Sequence, residues 1–126
     1  EAVFTKNAPV PLPQFSQAIR HQGKVYVSGN IGTVPGTQNQ LVDGTVKNRA
    51  TQAIRNIKAV LEAAGTTLEH VIKMNIYITK MANFSLVNEA YDQFFTWDLK
   101  PARTCIAVHG LPHETDVEIE CIAYIP

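Results

Sequence analysis

Arg103 places a permanent cation just inside an alternating run, Lys100-Pro101-Ala102-Arg103-Thr104-Cys105-Ile106-Ala107-Val108. Pro101 lacks a backbone N–H and fixes its own φ, so it suits a strand entrance. With a period of two, Arg103, Cys105 and Ala107 share one face, and Thr104, Ile106 and Val108 the other. A guanidinium fork fits a carboxylate or phosphate bidentately. On spacing alone two readings stand, a salt bridge at a strand end or an anion clamp. A second pair of reactive groups lies in Val117-Glu118-Ile119-Glu120, where two carboxylates alternate onto one strand face. They serve either as the wet side of a strand or as proton-transfer groups. Asn88 falls inside an apolar helical stripe, where an amide either bonds a loop or lines a site.

Other chemistries are excluded. The chain contains no G-x-S-x-G, P-loop or G-x-G-x-x-G pattern. His109 and His113 are four apart, but Gly110 and Pro112 between them prevent a shared helix face, so no metal site is expected. His21 and His70 read as surface turn residues. Cys105 has no assignable base partner and reads as a passive thiol. Cys105 and Cys121 both fall in predicted strands outside any CxxC pattern, and reduced, buried thiols of an intracellular protein are expected.

The elements that must hold these groups follow from periodicity. The prolines at 9, 11 and 13 predict an irregular or extended arm over 1–13. Strands are predicted over Phe15–Arg20 and Lys24–Asn30, then a long loop over 33–44. A helix over Val46–Ala64 is expected from its apolar period near 3.6, with Thr45 as N-cap and Gly65 as stop. Ile72, Met74, Ile76 and Ile78 alternate with polar residues as a half-buried strand. A second helix is predicted from Phe84 to about Thr96, capped by Asn83, with the stripe Phe84, Val87, Tyr91, Phe94 and Phe95. Strands over Ala102–Val108 and Val117–Ile125 complete the order β-β-α-β-α-β-β, a single α+β domain over 1–126 with helices on one face of a sheet. Equal numbers of basic and acidic residues, 11 each, argue against bulk electrostatic binding of nucleic acid. No apolar run approaches the ~20 residues of a membrane helix, and no leader is recognisable.

Pro-Ala-Arg-Thr-Cys at 101–105, then Leu111-Pro112 and Val117-Glu118-Ile119-Glu120, resembles the signature of the RidA (YjgF) family. Asn7-Ala8-Pro9, Phe15-Ser16-Gln17-Ala18, Val27-Ser28-Gly29, the run Asn56–Gly65 and Val87-Asn88-Glu89-Ala90-Tyr91 are similar to the same family, in order along nearly the whole chain. The resemblance implies a chorismate-mutase-like fold and a homotrimer with sites between subunits. It implies hydrolysis of 2-imino acids (2-iminobutanoate, 2-iminopropanoate) to 2-oxo acids and ammonia, without a cofactor. Arg103 would clamp the substrate carboxylate and Glu118 would move protons. Phe15, Ser28, Gly29, Asn88 and Cys105 would line the substrate site. The compartment expected is cytoplasm or mitochondrial matrix. The family usually shows Gly-Pro-Tyr where this chain has Pro13-Gln14-Phe15, so a ring remains without its hydroxyl; Asn30 stands where glutamine is common. Endoribonuclease or translation-inhibitor activity, or a non-catalytic carboxylate-binding or chaperone-like trimer, are the alternatives from other classes.

Overall fold

Strand β6 (Val117–Tyr124) lies between β3 (Lys24–Asn30) and β4 (Val71–Ile78), and its alternation sets the two faces of the sheet. In the computed structural model, which describes residues 1–126, the sheet has six strands in the order β1-β2-β3-β6-β4-β5. The remaining strands are β1 (Ala2–Val3), β2 (Ala18–His21) and β5 (Ala102–Ala107). Every neighbouring pair is antiparallel except β4 with β5. Two helices, α1 (Val46–Ala64) and α2 (Phe84–Asp92), connect β3 to β4 and β4 to β5. Each connection joins parallel strands, and β6 is inserted between the first two.

Val117, Ile119, Cys121 and Ala123 are buried, together with Val25, Val27, Met74, Ile76 and Ile78 on the neighbouring strands. This is the face that α1 and α2 cover. Helix α1 contributes Val46, Ala50, Ala53, Ile54, Ile57, Val60, Leu61 and Ala64 to one core. A fully buried Ile, Leu or Val is worth about 1.5–3 kcal/mol. The expected ends of α1 are observed. Thr45 Oγ1 accepts from Lys47 N–H at 3.2 Å, and the Asn48 amide oxygen accepts from Thr45 N–H at 2.9 Å. Gly65 sits at φ 95°, a left-handed stop that glycine adopts without a Cβ clash.

Three expectations are corrected. Residues 15–17 are not in a strand: Phe15 N–H closes a turn onto Leu12 C=O at 3.2 Å, so pairing begins only at Ala18. The arm also contributes the short strand β1, paired to β2. Helix α2 ends at Asp92 rather than near Thr96: the chain tightens there, Phe94 and Phe95 N–H both bonding Tyr91 C=O at 3.0 and 3.2 Å, and Phe95 still stacks on Tyr91 with ring centroids 4.2 Å apart. Asn83 makes no side-chain cap; a single 3-10 turn over Met81–Asn83 leads into α2 instead.

Helix α1 is tied to distant segments by polar side chains. Fully buried Asn56 donates to Thr33 C=O at 2.9 Å and accepts from Gln52 Nε2 at 2.9 Å. Arg49 grips Asp116 with two bonds of 2.7 and 2.8 Å, and also donates to Val42 and Gly44 carbonyls. The Arg49 hydrogen bond holds the Asp116 carboxyl below its ordinary range. A carboxylate depressed in the folded state stabilises above its unfolded pKa, and that stability is lost as pH falls through the folded value. Asp116→Asn should therefore cost about 1–2 kcal/mol near neutral pH, allowing for partial solvent screening. In urea titrations the gap between parent and variant should close on acidification below pH ~4; a gap that persists there would remove the ion-pair account.

Candidate active site

Gly29, at the end of β3, has no side chain for a reason of space. A Cβ built there would lie 2.2 Å from Glu118 Oε2 on the adjacent strand β6. Any side chain would displace that carboxylate. Beside it, Ser28 donates its hydroxyl proton to Ser16 C=O at 2.6 Å, and its N–H bonds Gln17 C=O at 3.0 Å. The Ser28 oxygen is left able to accept from a ligand. Glu118, Ser28, Gly29 and Phe15 line one cavity of about 170 Å³. Its far wall is the proline-rich arm, and Pro112 and His113 form part of its rim. His113 and Glu114 both sit at φ 55°, a left-handed turn in consecutive non-glycine residues.

Arg103, Cys105 and Asn88 are not in this cavity. Register explains the separation. Arg103 pairs with Met74 and Cys105 with Ile76, whereas Glu118 pairs with Tyr77 and Glu120 with Asn75. Residues an odd number apart on β4 point to opposite faces. Arg103 and Cys105 therefore lie on the helix side, and Glu118 and Glu120 on the face that neither helix covers. One chain brings together Phe15, Ser28, Gly29 and Glu118 in one group. It brings Asn88, Arg103 and Cys105 to the edge formed by β5 and α2.

At that edge Arg103 has no carboxylate partner, which removes the strand-end salt bridge as its explanation. Its guanidinium lies 4.8 Å from the Tyr91 ring centroid and 5.5 Å from that of Phe84. Stacking of this kind is worth about 0.5–2 kcal/mol and holds the plane without consuming its N–H donors. Phe84, Asn88 and Tyr91 share one helix face by their spacing. Asn88 Oδ1 is buried and has no hydrogen-bond partner within the chain. Burial raises the Tyr91 hydroxyl to about 12 despite the nearby Arg103 cation. Burial also raises the Cys105 thiol, with Arg103 opposing it. A thiol held protonated is a poor nucleophile.

The two glutamates differ. Glu120 accepts from Tyr77 Oη at 2.9 Å and Asn75 Nδ2 at 3.2 Å. Glu118 has no such partner; burial, and then the Glu120 charge, raise its carboxyl above the ordinary range. This is the pattern of a carboxyl poised to exchange protons. No three His, Cys, Asp or Glu side chains gather as a metal site would require. No helix is long and apolar enough to cross a membrane.

Two features of the site were missed in the sequence. Gln17, which the sequence places in a strand and in a family-like segment without a role, is buried beneath the arm, where its side chain makes three bonds to arm backbone. Tyr91 and Phe84 were read as core stripe rather than as the platform for Arg103. Glutamine has no local conformational signature, so nothing in the sequence marks Gln17 for this role.

A two-helix, six-stranded mixed sheet with an unpaired arginine at its edge and a perturbed carboxyl on its open face defines the class of protein. The family model described as Endoribonuclease L-PSP matches residues 5–125. A 2-iminobutanoate/2-iminopropanoate deaminase of Dermatophagoides farinae is 39% identical, with 98% of this chain and 94% of that protein covered. The crystal structure of RidA from an Antarctic Psychrobacter superposes with a TM-score of 0.92 at 38% identity, covering 99% of each chain. That of E. coli TdcF with bound serine does so with 0.89 at 33%, covering 98% of each. The chain belongs to the RidA/YjgF family.

The raised Glu118 carboxyl can be measured directly. Its folded pKa lies above its unfolded one, so ionisation costs stability: the favourable term is present below the unfolded pKa and is lost as pH rises through the folded pKa. Carbon-detected NMR titration should place the Glu118 midpoint above that of an ordinary glutamate. In Glu120→Gln the midpoint should move only part of the way back, because burial is the larger cause. A full return would make the Glu120 charge the main cause.

Proposed function

We propose that this protein hydrolyses 2-imino acids, and their enamine tautomers, to 2-oxo acids and ammonia. The observation that carries the reading is Arg103, a guanidinium held on two aromatic rings with no carboxylate of its own. Such a fork is set to receive a carboxylate from a ligand. The serine bound to TdcF is a carboxylate-bearing small molecule, and the D. farinae relative carries the deaminase name.

Because Arg103 and Glu118 occupy opposite faces of one sheet, the reading requires two copies of the chain per site. One supplies the Arg103 edge with Asn88 and Cys105, and the other supplies the Glu118 cavity. The uncovered face suits such an assembly. Ile19, Tyr26, Ile106 and Tyr124 stay about two-fifths exposed there, beside Ile122. A homotrimer is the assembly proposed. Sedimentation equilibrium should give a trimer at micromolar concentration, and a monomer would remove both the assembly and the shared site.

In the completed site Arg103 binds the substrate carboxylate and fixes C2. Glu118 in its ionised form takes a proton from water as the oxygen adds to C2 of the protonated imine. The resulting carbinolamine nitrogen then receives that proton. The C2–N bond breaks and ammonia leaves as the hydroxyl gives its proton to the again-ionised Glu118, which passes it to the departing ammonia, leaving the 2-oxo acid and ammonium. One water is consumed and no redox change occurs, so no cofactor is needed. The Ser28 oxygen and the unpartnered Asn88 Oδ1 accept hydrogen bonds from water or from the substrate's N–H groups. Gly29 keeps the Glu118 carboxylate in place, Phe15 shapes the wall, and Cys105 packs beneath the carboxylate as a neutral thiol.

Arg103→Lys keeps the charge but loses the fork, and should lower kcat/KM for 2-iminobutanoate by about 30- to 1,000-fold. Glu118→Gln should lower kcat by about 10²–10⁴-fold while retaining binding of 2-oxobutyrate. Glu120→Gln, whose carboxylate is committed to Tyr77 and Asn75, should lose less. Ammonia release and calorimetry on each folded variant make the comparison, with RNA cleavage assayed on the same nuclease-free preparation. Parent-like 2-oxobutyrate binding by Arg103→Lys would overturn the clamp, and RNA cleavage without imine turnover would overturn the reaction.

A further inference from the structure

The polar lining of the Glu118 cavity comes from one chain, and much of it is already committed. Gln17 uses its amide on the arm backbone. Ser28 donates to Ser16 C=O at 2.6 Å, and Asn30 Nδ2 donates to Ser28 C=O at 2.9 Å. Thr33 is different. It is 2% exposed, and its hydroxyl makes no hydrogen bond within the chain. Among buried side-chain oxygens and nitrogens only Asn88 Oδ1 is both unpartnered and fully enclosed, so Thr33 Oγ1 still meets open space. The open space that Thr33 lines is this cavity. A buried hydroxyl is costly unless something bonds it. Thr33 is also held firmly. Its C=O accepts from Asn56 Nδ2 at 2.9 Å, and Asn56 is itself fully buried and bonded by Gln52. The preceding Gly32, at φ 83°, lies so close to α1 that a Cβ would come within 2.6 Å of Arg49 C=O. The hydroxyl is therefore fixed against the helix before any ligand arrives.

We infer that Thr33 is a positioning residue for the hydrolytic water: its hydroxyl anchors a short file of waters that fills the cavity and ends on Glu118. The inference rests on the deaminase reading and adds the source of the water. Space and chemistry both support it. A volume of about 170 Å³ admits several waters, and the lining offers them Thr33 Oγ1, the free Asn30 Oδ1, the Ser28 oxygen and the Glu118 carboxylate. Exposed Gln38 and His113, also in the lining, leave the file open to bulk water for refilling. In the two-copy site the Arg103 edge of one chain holds the substrate, while the cavity of the other holds the water that attacks it. One water leaves the file in each turnover, its oxygen bonding C2 and its proton passing to Glu118, and bulk water replaces it.

The first test is crystallographic. At high resolution the parent should show an ordered water about 3 Å from Thr33 Oγ1 inside the cavity. Thr33→Val, which keeps the shape and removes the hydroxyl, should lose it. A cavity that is dry at Thr33 in the parent overturns the inference whether or not the protein is a deaminase. The second test is kinetic, with 2-iminobutanoate generated in place by an amino-acid oxidase. Thr33→Val should lower kcat about 10- to 100-fold and leave KM within about twofold of the parent. Thr33→Ser, which restores the hydroxyl, should bring kcat back to within about threefold of the parent. Thr37→Val, whose hydroxyl is bonded to Val34 C=O outside the cavity, should leave kcat unchanged. Thr33→Ala replaces Thr33→Val if that variant does not fold. Loss of the water with parent-like kcat makes it a structural water and overturns the role, as does a loss of kcat that Thr33→Ser does not recover. If the parent turns over no imine, the deaminase reading fails, and the crystals then decide the water site by themselves.

Discussion

The pleat of the sheet is the constraint on which the rest depends. Successive side chains on β6 must point to opposite faces, so burying Val117, Ile119, Cys121 and Ala123 under the helices turns Glu118 and Glu120 outward. The same rule, carried across β4 to the edge strand β5, turns Arg103 inward to meet α2. A one-residue slip in either ladder would exchange core and site together. The core thus enforces the register that places the reactive groups.

Within that frame the reactive groups are less well satisfied than their neighbours. Arg103 has rings but no counter-ion, Asn88 Oδ1 has no partner, and Glu118 has burial and a like charge. Each feature is unfavourable in an isolated chain, and each is relieved by a carboxylate, a donor or a proton. Glu120 and Asp116 are similar carboxylates on or beside the same strand, yet Tyr77 and Asn75 satisfy one and Arg49 the other. Environment, not residue type, separates the group suited to proton transfer from the two that stabilise the fold.

A few polar side chains, buried or half-buried, fasten the loops alongside apolar anchors such as Val3 and Ala8. Asn56 ties α1 to Thr33, Arg49 ties it to Val42, Gly44 and Asp116, and Gln17 ties the arm to the start of the sheet. Two of these ties are long-range, Asn56 to Thr33 and Arg49 to Asp116, and Thr33 and the Gln17-held Pro9 line the Glu118 cavity. A wall that would otherwise be mobile becomes a fixed surface.

The sequence by itself determined the order of the long elements, the ends of α1 and the two faces of β6. These depend on local periodicity and on caps that a few adjacent residues specify. It also singled out Arg103 and Glu118 by type. Only the tertiary structure decided that the two lie on opposite faces of one sheet, because that depends on register between strands distant in sequence. It likewise decided that Asn83 caps nothing, that α2 stops at Asp92, and that residues 15–17 follow a turn closed at Leu12 rather than starting a strand. The role of Gln17 was illegible for the same reason: glutamine has no local conformational signature, and its three partners lie 8 and 12 residues away on an arm without periodicity.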